Sequence, residues 1–145
     1  MIDKWPESFE VNPEKSPYVI INTQASQLGL KTNQIVKAEV QQASRTSGKF
    51  EYAFYLVAPA LDNYRFLLFY FIYSLEQWPV EIQLDSDIGD ELNITGTASA
   101  SNEEGLLDVL GKIFHSKKTT RIISVLLSES EGVSNPEWWI SGEEE

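Results

Sequence analysis

Residues 50–74 read FEYAFYLVAPALDNYRFLLFYFIYS, and this stretch decides the fold. Two apolar runs, Phe50–Ala58 and Tyr64–Ser74, flank the turn-forming sequence Pro-Ala-Leu-Asp-Asn at 59–63. Aromatic and β-branched residues bounded by Pro, Asp and Asn are typical of β-strands joined by a tight turn. The stretch therefore predicts two antiparallel strands at the centre of a sheet.

The segments on either side of this pair predict further strands. Apolar and polar residues alternate over 36–42 and again over 80–85, which is typical of a strand with one buried face. A weaker strand is predicted over 91–98. The connections are short, including a polar hairpin at 44–49, and short connections require antiparallel neighbours because a parallel crossover needs about a dozen residues.

Three helices are predicted around the sheet. The pair Ser16-Pro17 begins a helix over 17–28 that Gly29 ends. A Ser-Asn-Glu-Glu capping box precedes an apolar stripe over 102–115. The last helix is predicted to begin at Thr119 or Thr120, although its β-branched run leaves a strand at 120–127 open.

These elements predict an α+β fold: a four- or five-stranded antiparallel meander sheet with an N-terminal helix and two C-terminal helices packed on one face. The length of 145 residues suits a single domain, 1–145. Its ends, 1–15 and 132–145, are polar tails that nevertheless carry tryptophan. The tail residues that we predict to dock onto another surface are Trp5, Trp138 and Trp139.

The central strands predict a sheet that is apolar on both sides. A simple hairpin around Leu61 places one apolar set beneath the helices and a second set on the opposite face. That second set is Tyr55, Val57, Arg65, Leu67, Phe69 and Phe71. Because most of these side chains are too apolar to be left in water, we predict that they form a partner-binding or dimer face. The alternatives are that the tails or a ligand cover these side chains.

Charge and composition limit the partners. The chain has 11 Lys and Arg against 22 Asp and Glu, so its net charge of −11 disfavours nucleic acid and anionic membranes. The most apolar run, 66–73, is too short to cross a bilayer, which needs about 20 residues. No leader pattern occurs and cysteine is absent, so we expect a cytoplasmic protein.

Motifs for catalysis, cofactors or metals are missing from the sequence. His115 is the only histidine, and we expect it to offset the helix dipole at the end of its helix. The acidic run 85–91 departs from the calcium-loop pattern and predicts a solvated turn. Arg65 is the one cation in the apolar strands, and we expect an ion pair with Asp62 or Glu51. No cofactor or metal is predicted.

Two functions follow from these features. The first is a non-enzymatic protein-interaction domain that binds a second copy of itself or a basic protein, in the manner of an acidic inhibitor or immunity protein. The alternative is a small-molecule-binding domain or cofactor-independent enzyme, with a pocket between sheet and helices lined by tyrosines and Arg65. No motif in the sequence identifies a family.

Overall fold

A computed structural model describes residues 2–43 and 48–134 of the chain. Its helices and strands are, in chain order, α1 (Pro17–Lys31), β1 (Lys37–Gln42), β2 (Lys49–Ala58), β3 (Tyr64–Ser74), β4 (Val80–Leu84), α2 (Ser86–Leu92), β5 (Thr97–Ala100), α3 (Glu103–Phe114) and α4 (Lys117–Ser134).

The strands form one five-stranded sheet in the order β1-β2-β3-β4-β5, and every neighbouring pair is antiparallel. This meander confirms the predicted α+β fold, including the N-terminal helix on the sheet and the C-terminal helices. Buried side chains of α1, α3 and α4 join those of the strands in a single core. We call the sheet surface that meets this core the first face and the opposite surface the second face.

Helix α1 begins as its sequence predicts and ends later. The Ser16 hydroxyl accepts a hydrogen bond from the Val19 amide at 3.2 Å, and Pro17 occupies the first turn. Gly29 does not end the helix, which continues to Lys31. A Cβ at Gly29 would lie 2.7 Å from Oε1 of Gln34, so this glycine allows a close approach of the following loop.

The acidic run after β4 is helical, so the predicted turn over 85–91 is wrong, and the strand predicted over 91–98 lies closer to the C-terminus than predicted. The Asp85 carboxylate caps α2 by accepting hydrogen bonds from the amides of Asp87 and Ile88, at 3.0 and 3.3 Å. Ile88 is fully buried and fixes this short helix against the core. The last strand, β5, consequently starts only at Thr97.

The C-terminal helices form where they are predicted, with different ends. Asn102, not Ser101, caps α3, through a 2.8 Å hydrogen bond that its side-chain oxygen accepts from the Gly105 amide. Helix α4 begins at Lys117, whose amide donates to the Glu91 carboxylate at 2.9 Å, and the predicted strand alternative at 120–127 is wrong. Because α4 continues to Ser134, the polar tail predicted from residue 132 overlaps its last turn.

A β-bulge in the central hairpin determines which aromatic residues reach the core. Near the turn Tyr55 is opposite Leu67, but the next pair along is Phe54 with Phe69, so Leu68 is the extra residue. A one-residue shift moves every later side chain of β3 to the other face. Phe71, which a hairpin without a bulge would place on the second face, is therefore fully buried in the core.

Candidate functional site

The second face is built from alternate residues of all five strands, and the cross-strand pairs define its membership. Its residues are Lys37, Glu39 and Gln41 of β1; Lys49, Glu51, Ala53, Tyr55 and Val57 of β2; Arg65, Leu67, Tyr70, Ile72 and Ser74 of β3; Glu81 and Gln83 of β4; and Thr97 and Ser99 of β5.

The structure brings together only part of the predicted site. Tyr55 pairs with Leu67 and Val57 pairs with Arg65, so these four residues share the second face as predicted. The other two predicted members, Phe69 and Phe71, are wrong because the bulge turns them into the core, where they are 2% and 0% exposed.

Tyr70 and Ile72 occupy the second face in their place. They pair with Ala53 and Glu51, respectively. The unbroken apolar run 66–73 carries no alternation that would have revealed this register. Whether the corrected set of residues binds a partner remains a prediction.

The centre of the second face is apolar and open. Tyr55, Leu67, Tyr70 and Ile72 are only half-buried, whereas Phe54, Phe69 and Phe71 on the first face are almost completely covered. Ala53 and Val57 are the covered apolar side chains of this face, at 3% and 1% exposed. The result is a contiguous apolar patch of the kind that marks an interaction site on a small domain.

Arg65 lies at the edge of this patch and is held by two neighbours. Its guanidinium carbon lies 4.6 Å from the centre of the Tyr55 ring, and its Nη1 lies 3.3 Å from Oε1 of Glu39. The predicted partners Asp62 and Glu51 are wrong, because the pairing of β1 with β2 brings Glu39 beside Tyr55. Arg65 is thus oriented while its side chain remains 34% exposed.

The charges of the second face balance, unlike those of the whole chain. Three cations and three anions occupy it: Lys37, Lys49 and Arg65 against Glu39, Glu51 and Glu81. The chain as a whole carries a net charge of −11. The second face is therefore a neutral surface on a strongly acidic molecule.

The N-terminal tail contacts other parts of the molecule. Asn12 donates a 3.0 Å hydrogen bond to the side chain of Gln77, and Lys15 lies 3.7 Å from Glu103. Trp5 is 75% exposed, so its docking onto another surface stays a prediction. The other predicted docking residues, Trp138 and Trp139, lie outside the described residues.

A groove lies on the first face, between α1 and the junction of α3 with α4. Its volume is about 430 Å³, and its floor is formed by Ala38, Phe54 and Leu56 of the sheet. The groove occupies the position predicted for a pocket between sheet and helices. Its predicted lining is wrong, because no tyrosine lines it and Arg65 lies on the opposite face.

The tyrosines that the groove lacks are divided between the two faces. Tyr52 and Tyr73 pack together in the core, with ring centres 6.1 Å apart. Burial, reinforced by the neighbouring Tyr52, raises the pKa of Tyr73 to about 12, so its phenol stays neutral. These hydroxyls belong to the packing of the core.

His115 is positioned as a helix cap. Its Nδ1 donates to the Gly111 carbonyl oxygen at 2.8 Å, and the residue is the C-cap of α3. Its ring also lines the groove. Among residues 2–43 and 48–134, no group of three or more His, Cys, Asp or Glu side chains is placed to hold a metal ion.

An ion-pair cluster joins α2 to α4. Lys118 Nζ lies 2.8 Å from Oδ1 of Asp85 and 2.9 Å from Oδ2 of Asp87. Burial acts to raise the pKa of Asp85, but hydrogen bonds from Lys118 and the Ile88 amide outweigh it, so that the pKa is lowered. Folding therefore favours the ionised Asp85 carboxylate. The cluster stabilises the fold at pH values above the pKa that Asp85 has in the unfolded chain.

This cluster predicts a stability difference that depends on pH. Asp85→Asn keeps a side chain able to cap α2 and removes the charge, so we expect a loss of about 0.5–1 kcal/mol at pH 7, because the pair is partly exposed. In the wild type the contribution of this ion pair to the free energy of unfolding is lost in acid. The loss begins at about pH 4 and is complete once the pH has fallen below the pKa that Asp85 has in the folded protein. Urea unfolding at neutral pH and below pH 3 should show the difference vanishing in acid. A difference that persists in acid would contradict the assignment.

No helix in the described part of the chain is long and apolar enough to cross a membrane. No family model, no curated protein and no solved structure matches the chain.

Proposed function

We propose that this chain is a non-enzymatic protein-interaction domain that binds a second copy of itself through the second face of its sheet. The observation that carries the proposal is the open apolar centre formed by Tyr55, Leu67, Tyr70 and Ile72. Burying such a patch in a symmetric dimer removes it from water twice, once on each copy.

Charge balance supports a second copy as the partner. Two chains that each carry −11 repel each other across most of their surfaces. On the second face cations and anions are equal in number, so contact there adds no net repulsion. Self-association is therefore most favourable through this face.

The positions of these charges also support a particular orientation. Lys37 and Arg65 lie at one end of the face, in the row of Val57. Glu51 and Glu81 lie in one row at the other end, beyond the apolar centre, and Lys49 lies one row further out, so that this end carries a net negative charge. A twofold axis in the plane of the interface, perpendicular to the strands, places the cationic end of each copy over the anionic end of its mate.

A basic protein is the second candidate partner, because the net charge of −11 favours it. Several carboxylates of the acidic helices already have partners within the chain. Lys118 binds Asp85 and Asp87, and Lys112 lies 3.3 Å from Asp108. These contacts reduce the charge that the helices offer to another protein.

A charge-swap experiment tests the proposal. One variant combines Lys37→Glu with Arg65→Glu, and the other combines Glu51→Lys with Glu81→Lys. In either homodimer like charges would face each other at both ends, so we expect each variant alone to sediment as a monomer. A mixture of the two restores opposite charges at both ends, and we expect a heterodimer.

The mixing step gives the experiment its control, because both variants keep the apolar centre intact. Circular dichroism of each variant shows whether it is folded before mixing. Dimers of either variant alone, or a mixture of folded variants that remains monomeric, would contradict the proposed orientation.

A further inference from the structure

We infer that the groove on the first face binds a small amphipathic carboxylate, that is, an acid with an apolar body. The groove is on the opposite side of the sheet from the proposed dimer face, so the inference is independent of self-association. Its volume of about 430 Å³ lies within the range of about 300–1,000 Å³ typical of small-molecule sites.

The apolar part of the groove suits a hydrocarbon. The sheet supplies its floor through Ala38, Phe54 and Leu56, while Leu28 of α1 and Ile123 of α4 form facing walls. A hydrocarbon body lying between these side chains would be removed from water on several sides. This lining favours an apolar body over a compact polar metabolite.

The polar part of the groove favours an anion. Its one formally charged lining residue is Lys31, and no Asp or Glu contributes to the lining, although acids outnumber bases twofold in the chain. Gln24 and Gln27 of α1 add amide donors on the same wall. A carboxylate is the common anion that both a lysine and amide donors bind well.

A buried hydroxyl on the opposite wall adds another donor. Ser116 Oγ accepts a hydrogen bond from the Thr119 amide and donates to Thr119 Oγ1 at 2.9 Å. The hydroxyl proton of Thr119 is thereby left to donate elsewhere. Thr119 is 1% exposed and lines the groove, so a ligand oxygen in the groove is an acceptor that it would reach.

Calorimetric titration with decanoate and with decanol, both below their aggregation concentrations, tests the inference. We expect decanoate to bind the wild type and decanol to bind more weakly. Lys31→Gln should lower the affinity for decanoate about tenfold, because a hydrogen bond between two charged groups is lost. The affinity for decanol should be nearly unchanged. Lys112→Gln, a change of the same kind on the outer side of α3, should affect neither ligand.

A second variant tests the location of the apolar body. Ala38→Leu extends a side chain from the floor into the groove, so we expect it to abolish binding of both ligands while the fold is retained. Absence of decanoate binding to the wild type would overturn the inference, as would equal binding of decanoate by the wild type and the Lys31→Gln variant. Undiminished binding by a folded Ala38→Leu variant would place the ligand elsewhere and equally overturn it.

Discussion

Replacing Phe71 by alanine is expected to destabilise the fold by about 3–5 kcal/mol, the usual range for removing a buried phenylalanine ring. Phe71 is fully buried, and its ring stacks on Tyr52 with centres 5.1 Å apart. It also contacts Phe69 and Tyr73, whose ring centres are 6.2 and 6.5 Å away. Alanine would leave a cavity among rings that cannot collapse together. Since a domain is stable by only about 5–15 kcal/mol, much of the total would be lost.

The matched control is Ile72→Ala, one residue further along the same strand. Ile72 is half-buried on the second face, so we expect its truncation to cost about 1 kcal/mol in dilute solution, where any dimer is dissociated. Urea unfolding measures the free energy of unfolding of both variants and of the wild type. If Phe71→Ala fails to fold, Phe71→Leu keeps most of the volume and should still be less stable than the wild type. A larger loss for Ile72→Ala than for Phe71→Ala would show that β3 pairs without the bulge.

The second large effect concerns association. Leu67→Asp is expected to weaken dimer formation about 100-fold or more, because it places an unpaired carboxylate in the apolar centre of the proposed interface. In a twofold dimer the carboxylate is buried twice, once from each copy. Folding of the monomer should change little, since Leu67 is only half-buried there.

Leu75→Asp supplies the control for this variant. Leu75 is 79% exposed in the connection that follows β3, and it lies off the second face. The same chemical change there should leave dimer formation as it is in the wild type. Sedimentation of both variants distinguishes a specific interface from a general effect of added negative charge, because both changes make the chain equally more acidic. Equal association of the two variants would argue against the second face.

Sequence patterns predict the architecture well where a local signal exists. The cap formed by Ser16 and Pro17 fixes the start of α1, and the alternation within 36–42 and 80–85 fixes which sides of β1 and β4 are buried. These signals depend on residues close together in the chain. The antiparallel meander follows from them because the connections are too short for anything else.

The errors arise where tertiary packing decides the outcome. The acidic run 85–91 looks like a solvated turn, yet burial of Ile88 and the cap from Asp85 make it helical. In the run 66–73 every residue is apolar, so neither face is marked and a bulge leaves no trace in the pattern.

The candidate site shows the same division. Near the turn the hairpin register is set locally, and Tyr55 and Leu67 were correctly predicted to share the second face. Beyond the bulge Phe69 was assigned to the wrong face. A groove does lie between sheet and helices, but its lining depends on how α1 and α4 approach each other, which no local pattern encodes.

The most direct test of the central claim is the molar mass of the unmodified chain in solution. Sedimentation equilibrium at about 0.1 mM chain, roughly 100 times a micromolar Kd, suffices to populate a dimer of ordinary affinity. We expect a species of twice the 16.4 kDa chain mass that dissociates on dilution. A mass of 16.4 kDa at every concentration would contradict self-association through the second face.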